Sequence, residues 1–166
     1  MIEILSQFAI PDSLFKRVEQ EFQLLLADCR LSLGRSSPGL AALPPVSGCY
    51  LWIASHDSAR FSIYAGRTSS IRRRAADYSA PFQIHSPNDF KLRFFEEELR
   101  VVLPSATLAL YFQAIPADLC SNRERDLIAE FRPAINTLPV PDDVVRKAVE
   151  DVYREHYRRA LLRRGK

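Results

Sequence analysis

Cysteine and histidine are scarce in this chain, and neither falls into a pattern with obvious chemistry. The three cysteines, Cys29, Cys49 and Cys120, lie far apart. An odd number with no CxxC pair argues against both a disulfide framework and a zinc site. Cys29 and Cys49 sit among apolar neighbours and read as buried thiols. The three histidines, His56, His85 and His156, lack metal-ligand spacing and read as surface or structural residues. Long apolar runs are also missing: polar residues interrupt each one well before the ~18 positions that would span a membrane. Met1-Ile2-Glu3 has neither the basic start nor the apolar core of a signal peptide. The expected location is therefore cytoplasmic, with no membrane partner.

The 166 residues suit one compact domain with modest terminal additions. An apolar fraction of 47% is enough to bury a core. The net charge is only +3, but it is unevenly placed: residues 146–166 hold eight Lys or Arg against three acids. Arg67, Arg72, Arg73 and Arg74 form a second cluster in mid-chain. Clustered arginine favours a phosphate-bearing partner more than total charge does, although a solvated helix face is the plainer explanation of either cluster.

Pro11-Asp12 is a helix-start signal. Leu14, Phe15, Val18, Phe22, Leu25, Leu26 and Cys29 then recur at helical spacing, which predicts one helix with a single apolar stripe. Residues 35–45, rich in Ser, Pro and Gly, read as a loop. Residues 49–54 and 61–65 are short strands joined by the polar stretch 56–60, as in an antiparallel hairpin. A helix over 69–78 follows, then one over 90–103 with Phe94, Phe95, Leu99 and Val102 towards a core. Residues 107–115 form the third strand, 121–132 a helix stopped by Pro133, and 142–164 a final helix. No internal repeat is visible. The order β-β-α-α-β-α predicts an α/β (α+β) fold, with a three-stranded, mainly antiparallel sheet flanked by helices. Residues 1–45 are an N-terminal helix and loop packed on the core, 46–138 the domain proper, and 139–166 a basic C-terminal helix.

The residues that carry chemistry begin at Gly48-Cys49-Tyr50 and continue at Tyr64-Ala65-Gly66. After Gly66 come Arg67, Arg74 and Tyr78, and further on Glu124-Arg125-Asp126-Leu127-Ile128 leads to Pro133 and Asn136. In these elements the chain resembles the GIY-YIG endonucleases, with Cys49 and Ala65 replacing the isoleucine of each tripeptide. The Glu-x-x-Leu-Ile, Pro and Asn spacing matches without a gap, and the resemblance covers roughly residues 48–136. The terminal helices lie outside it.

Strand geometry agrees with a shared site. Alternate residues on a strand share a face, so Tyr50 and Trp52 point one way and Cys49, Leu51 and Ile53 the other. On the partner strand Tyr64 should share a face with Ser62, opposite Phe61 and Ile63. Arg74 and Tyr78, four apart on a helix, emerge together, and the helix start near Ser69 would offer free amides to a phosphate. Glu124 has a structural alternative, because Ser121-Asn122-Arg123-Glu124 is a capping-box pattern. Yet Glu124 shares a helical face with Leu127, Ile128 and Phe131, which favours a carboxylate aimed at the sheet and available to a cation. Tyr50 and Tyr64 read equally as ordinary strand tyrosines, Gly66 as a strand end, and Asn136 as a local loop partner.

The resemblance implies phosphodiester hydrolysis in nucleic acid, DNA ahead of RNA, with one Mg²⁺ or Mn²⁺ held by Glu124. It casts Tyr50 as general base, its phenolate favoured by neighbouring positive charge. Arg74 and Arg67 would stabilise charge on phosphate, while Tyr64 and Tyr78 orient water and phosphate. Gly66, Arg72, Arg73, Asn136, Arg154 and Arg158 are the expected substrate contacts. At this length the expectation is that the separate DNA-binding modules attached to homing and repair members are missing, so that the terminal helices, the hairpin loop or a second protomer would complete recognition. The expected biological type is a small stand-alone restriction or mobile-element nuclease. The alternatives are a toxin-like effector nuclease and a non-cleaving binding module on the same fold.

Overall fold

The computed structural model of the protein describes residues 5–29, 31, 42–79, 87–137, 151 and 155. Helix α1 (Asp12–Glu21) follows Pro11 and buries Phe15 and Val18. At Phe22 the backbone turns extended, with φ −120° and ψ 145°. The residues expected to prolong the helical stripe instead form an edge strand, β1 (Gln23–Leu26). Helical spacing was ambiguous here: three successive leucines suit a strand as well as a helix, and a neighbouring strand was available to take their backbone groups.

The sheet proper is built from β2 (Gly48–His56), β3 (Ala59–Thr68) and β4 (Thr107–Ala114). Its order is β1-β4-β2-β3 with every neighbouring pair antiparallel, so the sheet has four strands where the sequence suggested three. The β2–β3 hairpin closes more tightly than expected. His56 pairs with Ala59, and Asp57 takes the left-handed conformation (φ 53°) at which a two-residue turn is favoured. Helices α2 (Ile71–Ser79), α3 (Pro87–Val102), α4 (Cys120–Phe131) and α5 (Ala134–Thr137) complete the described fold. Helix α4 ends at Arg132, which is left-handed (φ 43°), just before Pro133 forbids continuation.

Helices cover both faces of the sheet, which is why the first seven residues of β2 are all buried. On one face Tyr50, Trp52, Leu108, Leu110 and Phe112 meet Ile71, Ala75 and Tyr78 of α2 and Leu92 and Leu99 of α3. On the other, Cys49, Leu51, Ile53 and Ala65 meet Phe15 and Val18 of α1 and Leu127 and Phe131 of α4. A bulge in the hairpin alters the expected alternation. Trp52 pairs with Tyr64 but Ile53 with Ser62, leaving Ile63 extra. Ile63 and Tyr64 consequently join the same core cluster rather than opposite ones.

The buried stripe of α3 also differs from expectation. Leu92, Arg93, Glu96 and Leu99 are buried, whereas Phe94 and Val102 are 49% and 45% exposed. Leu99 lies inward as expected and Phe95 packs partly against the core, but the charged Arg93 and Glu96 take inner positions while Phe94 and Val102 face outward. Of the C-terminal helix expected over 142–164, only Asp151 and Glu155 are described, both helical; the remainder, with Arg154 and Arg158, lies outside the described residues. Among the described residues no helix is long and apolar enough to cross a membrane.

Candidate functional site

The site begins with two close approaches of backbone to aromatic ring. Tyr50 is paired with Gly66 across the hairpin, and its phenol lies so close that a Cβ on Gly66 would sit 2.5 Å from Tyr50 Oη. At Gly48 a Cβ would meet the Gln113 carbonyl at 2.1 Å and the Phe112 ring at 2.6 Å. Both glycines are therefore required by packing: any side chain would push an aromatic ring out of the sheet's first face. Tyr50 has its ring centre 6.0 Å from that of Tyr64 and 6.2 Å from that of Tyr78. Trp52 abuts Tyr78 edge-on at 5.2 Å.

A polar turn carries β3 into α2. Thr68 Oγ1 donates to the Ser70 carbonyl at 2.9 Å and accepts from the Ser70 amide at 3.1 Å. The Arg73 amide donates to Ser70 Oγ at 3.3 Å, a capping contact. The Ile71 amide donates to the Val46 carbonyl. The amides of residues 70, 71 and 73 are thus occupied, which leaves a phosphate fewer donors at this helix start than expected.

One turn into α2, Arg74 and Tyr78 emerge together, as their spacing predicts, and lock onto Tyr50. Arg74 Nε donates to Tyr50 Oη at 3.0 Å, and the Tyr50 and Tyr78 hydroxyls are 3.1 Å apart. The Arg74 guanidinium also stacks over the Tyr78 ring, 4.6 Å from its centre. Tyr50 is fully buried, and burial above all, then the Tyr78 hydroxyl, holds its pKa well above the ordinary tyrosine value. Arg74 pulls the other way without prevailing. This runs against the expectation that nearby positive charge would favour a phenolate: desolvation of a charged phenol outweighs one guanidinium.

Glu124 sits on the opposite side of the sheet. It belongs to α4, which packs over Cys49, Leu51 and Ala65, and it forms an ion pair with Arg67, whose Nε lies 2.9 Å from Glu124 Oε2. The capping-box alternative does not hold. The helix starts at Cys120, its N-cap is Leu119, and that cap has no side-chain hydrogen bond. Beneath this pair, burial pushes the Cys49 thiol up to about 12. It donates to the Cys120 carbonyl at 3.4 Å.

The two halves meet at an open cleft of ≈ 340 Å³ at the end of β3. Arg67, Thr68 and Ser69 line it from the strand end, Arg73, Arg74 and Asp77 from α2, and Ala117 and Cys120 from the approach to α4. Three arginines and one aspartate thus line it, a balance suited to an anion. Glu124 reaches the cleft through Arg67. Among the described residues no three His, Cys, Asp or Glu side chains cluster to hold a metal. A cation at Glu124 would therefore take its other ligands from water and phosphate, as Mg²⁺ commonly does.

Other expected contacts have different roles. Arg72 donates to the Leu43 carbonyl, tying α2 to the segment before β2. Arg73 donates to Ser69 Oγ at 3.1 Å while lining the cleft. Asn136 is a clamp: its amide nitrogen donates to the Ala65 carbonyl at 2.9 Å, and its oxygen accepts from the Ala65 amide at 2.8 Å. Both side-chain atoms are occupied by the outer edge of β3, so Asn136 secures a strand edge rather than reaching the cleft.

Arg93 was not anticipated. It is 2% exposed, and its Nη2 donates to the carbonyls of Asp77 and Tyr78 at 3.0 and 3.1 Å, filling the last turn of α2. It thereby fixes the helix end that carries Tyr78. The fully buried Glu96 accepts from Arg100 Nε at 3.0 Å. Its place on the Leu92–Glu96–Leu99–Leu103 stripe was the available signal. Compared with protein families, curated proteins and solved structures, the chain matches none.

Proposed function

We propose that this chain is a metal-dependent endonuclease that hydrolyses phosphodiester bonds, DNA ahead of RNA, and that works like the GIY-YIG nucleases it resembles. The observation that carries the reading is the cleft at the end of β3. Its three guanidiniums lead on one side to the Tyr50–Arg74–Tyr78 network and on the other to Glu124. Glu124 offers the hard oxygen donor that Mg²⁺ or Mn²⁺ takes, and such an ion, when bound, supplies Lewis-acid charge at a phosphate. Arg74 lines the cleft with its orientation set by Tyr50 and Tyr78, so its charge stands ready where negative charge builds up on the reacting phosphate. Arg67 and Arg73 bind phosphate. The raised pKa of Tyr50 moves it from general base to positioning residue, its neutral phenol holding Arg74 in place.

The test is incubation of the purified chain with plasmid, single-stranded and branched DNA and with RNA, in Mg²⁺, in Mn²⁺ and in EDTA. Strand breaks in DNA with metal and none in EDTA are expected. Breaks that persist in EDTA, or no breaks on any substrate, overturn the reading. A non-cleaving nucleic-acid-binding module is the second reading, favoured by the buried neutral Tyr50 and by the pairing of Glu124 with Arg67. Salt-sensitive binding without breaks would establish it. Within the nucleases a restriction or mobile-element role comes first and a toxin-like effector second. A neighbouring methyltransferase gene would point to the former, an immunity gene to the latter.

A further inference from the structure

We infer that Arg67 is a resident counter-cation that closes Glu124 to a divalent ion until a phosphate draws it away, so that metal loading and nucleic-acid binding are coupled. The inference rests on the nuclease reading and adds to it how the site is regulated. Arg67 occupies two positions at once: its Nε lies 2.9 Å from Glu124 Oε2, and the same side chain lines the cleft. A guanidinium binds carboxylate and phosphate with the same donors, so a phosphate in the cleft competes directly with Glu124 for it. A metal ion and Arg67 likewise compete for the carboxylate.

The pair is built to exchange. Arg67 is 52% exposed and Glu124 23%, and a pair so open to water is weak. Arg74 offers the contrast, since its hydrogen bond to buried Tyr50 and its stacking on Tyr78 fix it in place. The arginines flanking Glu124 in sequence are engaged elsewhere: Arg123 with Gln113 and Glu21, Arg125 with Asn122. Arg67 is therefore the cation set against Glu124 among the described residues. Coupling of this kind is reciprocal: whatever phosphate does for metal at Glu124, metal does for phosphate at Arg67.

Mn²⁺ titration of the 166-residue chain without nucleic acid, read by electron paramagnetic resonance, tests this independently of cleavage. Arg67→Gln should bind Mn²⁺ roughly two- to five-fold more tightly than the parent, the factor expected for release of an exposed ion pair. Arg67→Lys should stay near the parent. Arg73→Gln, which removes the same charge from the cleft without touching Glu124, should gain less than Arg67→Gln. The reciprocal arm measures binding of a labelled DNA duplex in EDTA, where Glu124→Gln should bind more tightly than Asp77→Asn because it alone frees Arg67. Arg67→Gln binding Mn²⁺ no more tightly than Arg73→Gln, or Glu124→Gln gaining no duplex affinity over Asp77→Asn, overturns the inference. Those outcomes leave the nuclease reading standing if the parent cleaves DNA with metal. A parent that cleaves nothing yet shows the Mn²⁺ pattern sinks the nuclease reading and keeps the coupled pair.

Discussion

The two faces of the sheet treat their polar groups in opposite ways. On the α2 and α3 face, Tyr50, Arg74 and Tyr78 are bonded to one another inside an aromatic cluster, and Tyr50 and Tyr78 are buried. On the α1 and α4 face the core is apolar, and the polar pair Arg67–Glu124 sits at its exposed rim. The first arrangement holds its groups in one geometry and one protonation state. The second leaves them able to change partner. In the proposed function the first, fixed half would orient the phosphate and the second would take up the metal.

Substitutions at two adjacent residues of β3 sharpen this contrast most. Gly66→Ala drives a methyl group into the Tyr50 hydroxyl, and relief requires Tyr50 to leave its bonds with Arg74 and Tyr78. A loss of ~1–3 kcal/mol is expected, as for other overpacked cores. Arg67→Gln, one residue on and on the other face, should cost under ~1 kcal/mol. Urea unfolding of both variants measures the difference. Equal costs would mean that the rim is as rigid as the aromatic cluster.

The parts of this layout that were legible in the sequence are the ones that local rules govern. The alternation of Tyr50 and Trp52 against Cys49, Leu51 and Ile53 follows from strand geometry alone. The pairing of Arg74 with Tyr78 follows from helical spacing. What escaped depends on distant partners. Residues 23–26 form a strand because β4 lies beside them, and Ile63 shares a face with Tyr64 because of a bulge. Asn136 clamps an edge 71 residues away. Arg93 turns inward to the carbonyls of Asp77 and Tyr78, supplied by another helix, a placement that hydrophobic patterning misses. The raised pKa of Tyr50 belongs with these, since burial rather than neighbouring charge decides it.

A smaller effect should appear at alkaline pH, and it tests the fixed half. The folded-state pKa of Tyr50 is raised above its unfolded value. The native state therefore keeps a proton that the unfolded chain gives up, and stability falls as pH rises past the ordinary tyrosine value. Cys49 acts in the same sense from the other face, between the ordinary thiol value of 9.0 and about 12. Unfolding midpoints measured from pH 7 upward should decline above about pH 9. Tyr50→Phe and Cys49→Ala should each flatten part of that decline. A decline unchanged in Tyr50→Phe would mean that its phenol is not held neutral by the fold.

Single-turnover cleavage of duplex DNA in Mg²⁺ at saturating protein, parent against Glu124→Gln with thermal melts of both, bears most directly on the central claim. Glu124 is at the rim and takes no part in capping its helix, so its loss should leave melting within about 4 °C of the parent. Cleavage should be lost. Cleavage retained in a folded Glu124→Gln protein would contradict the account.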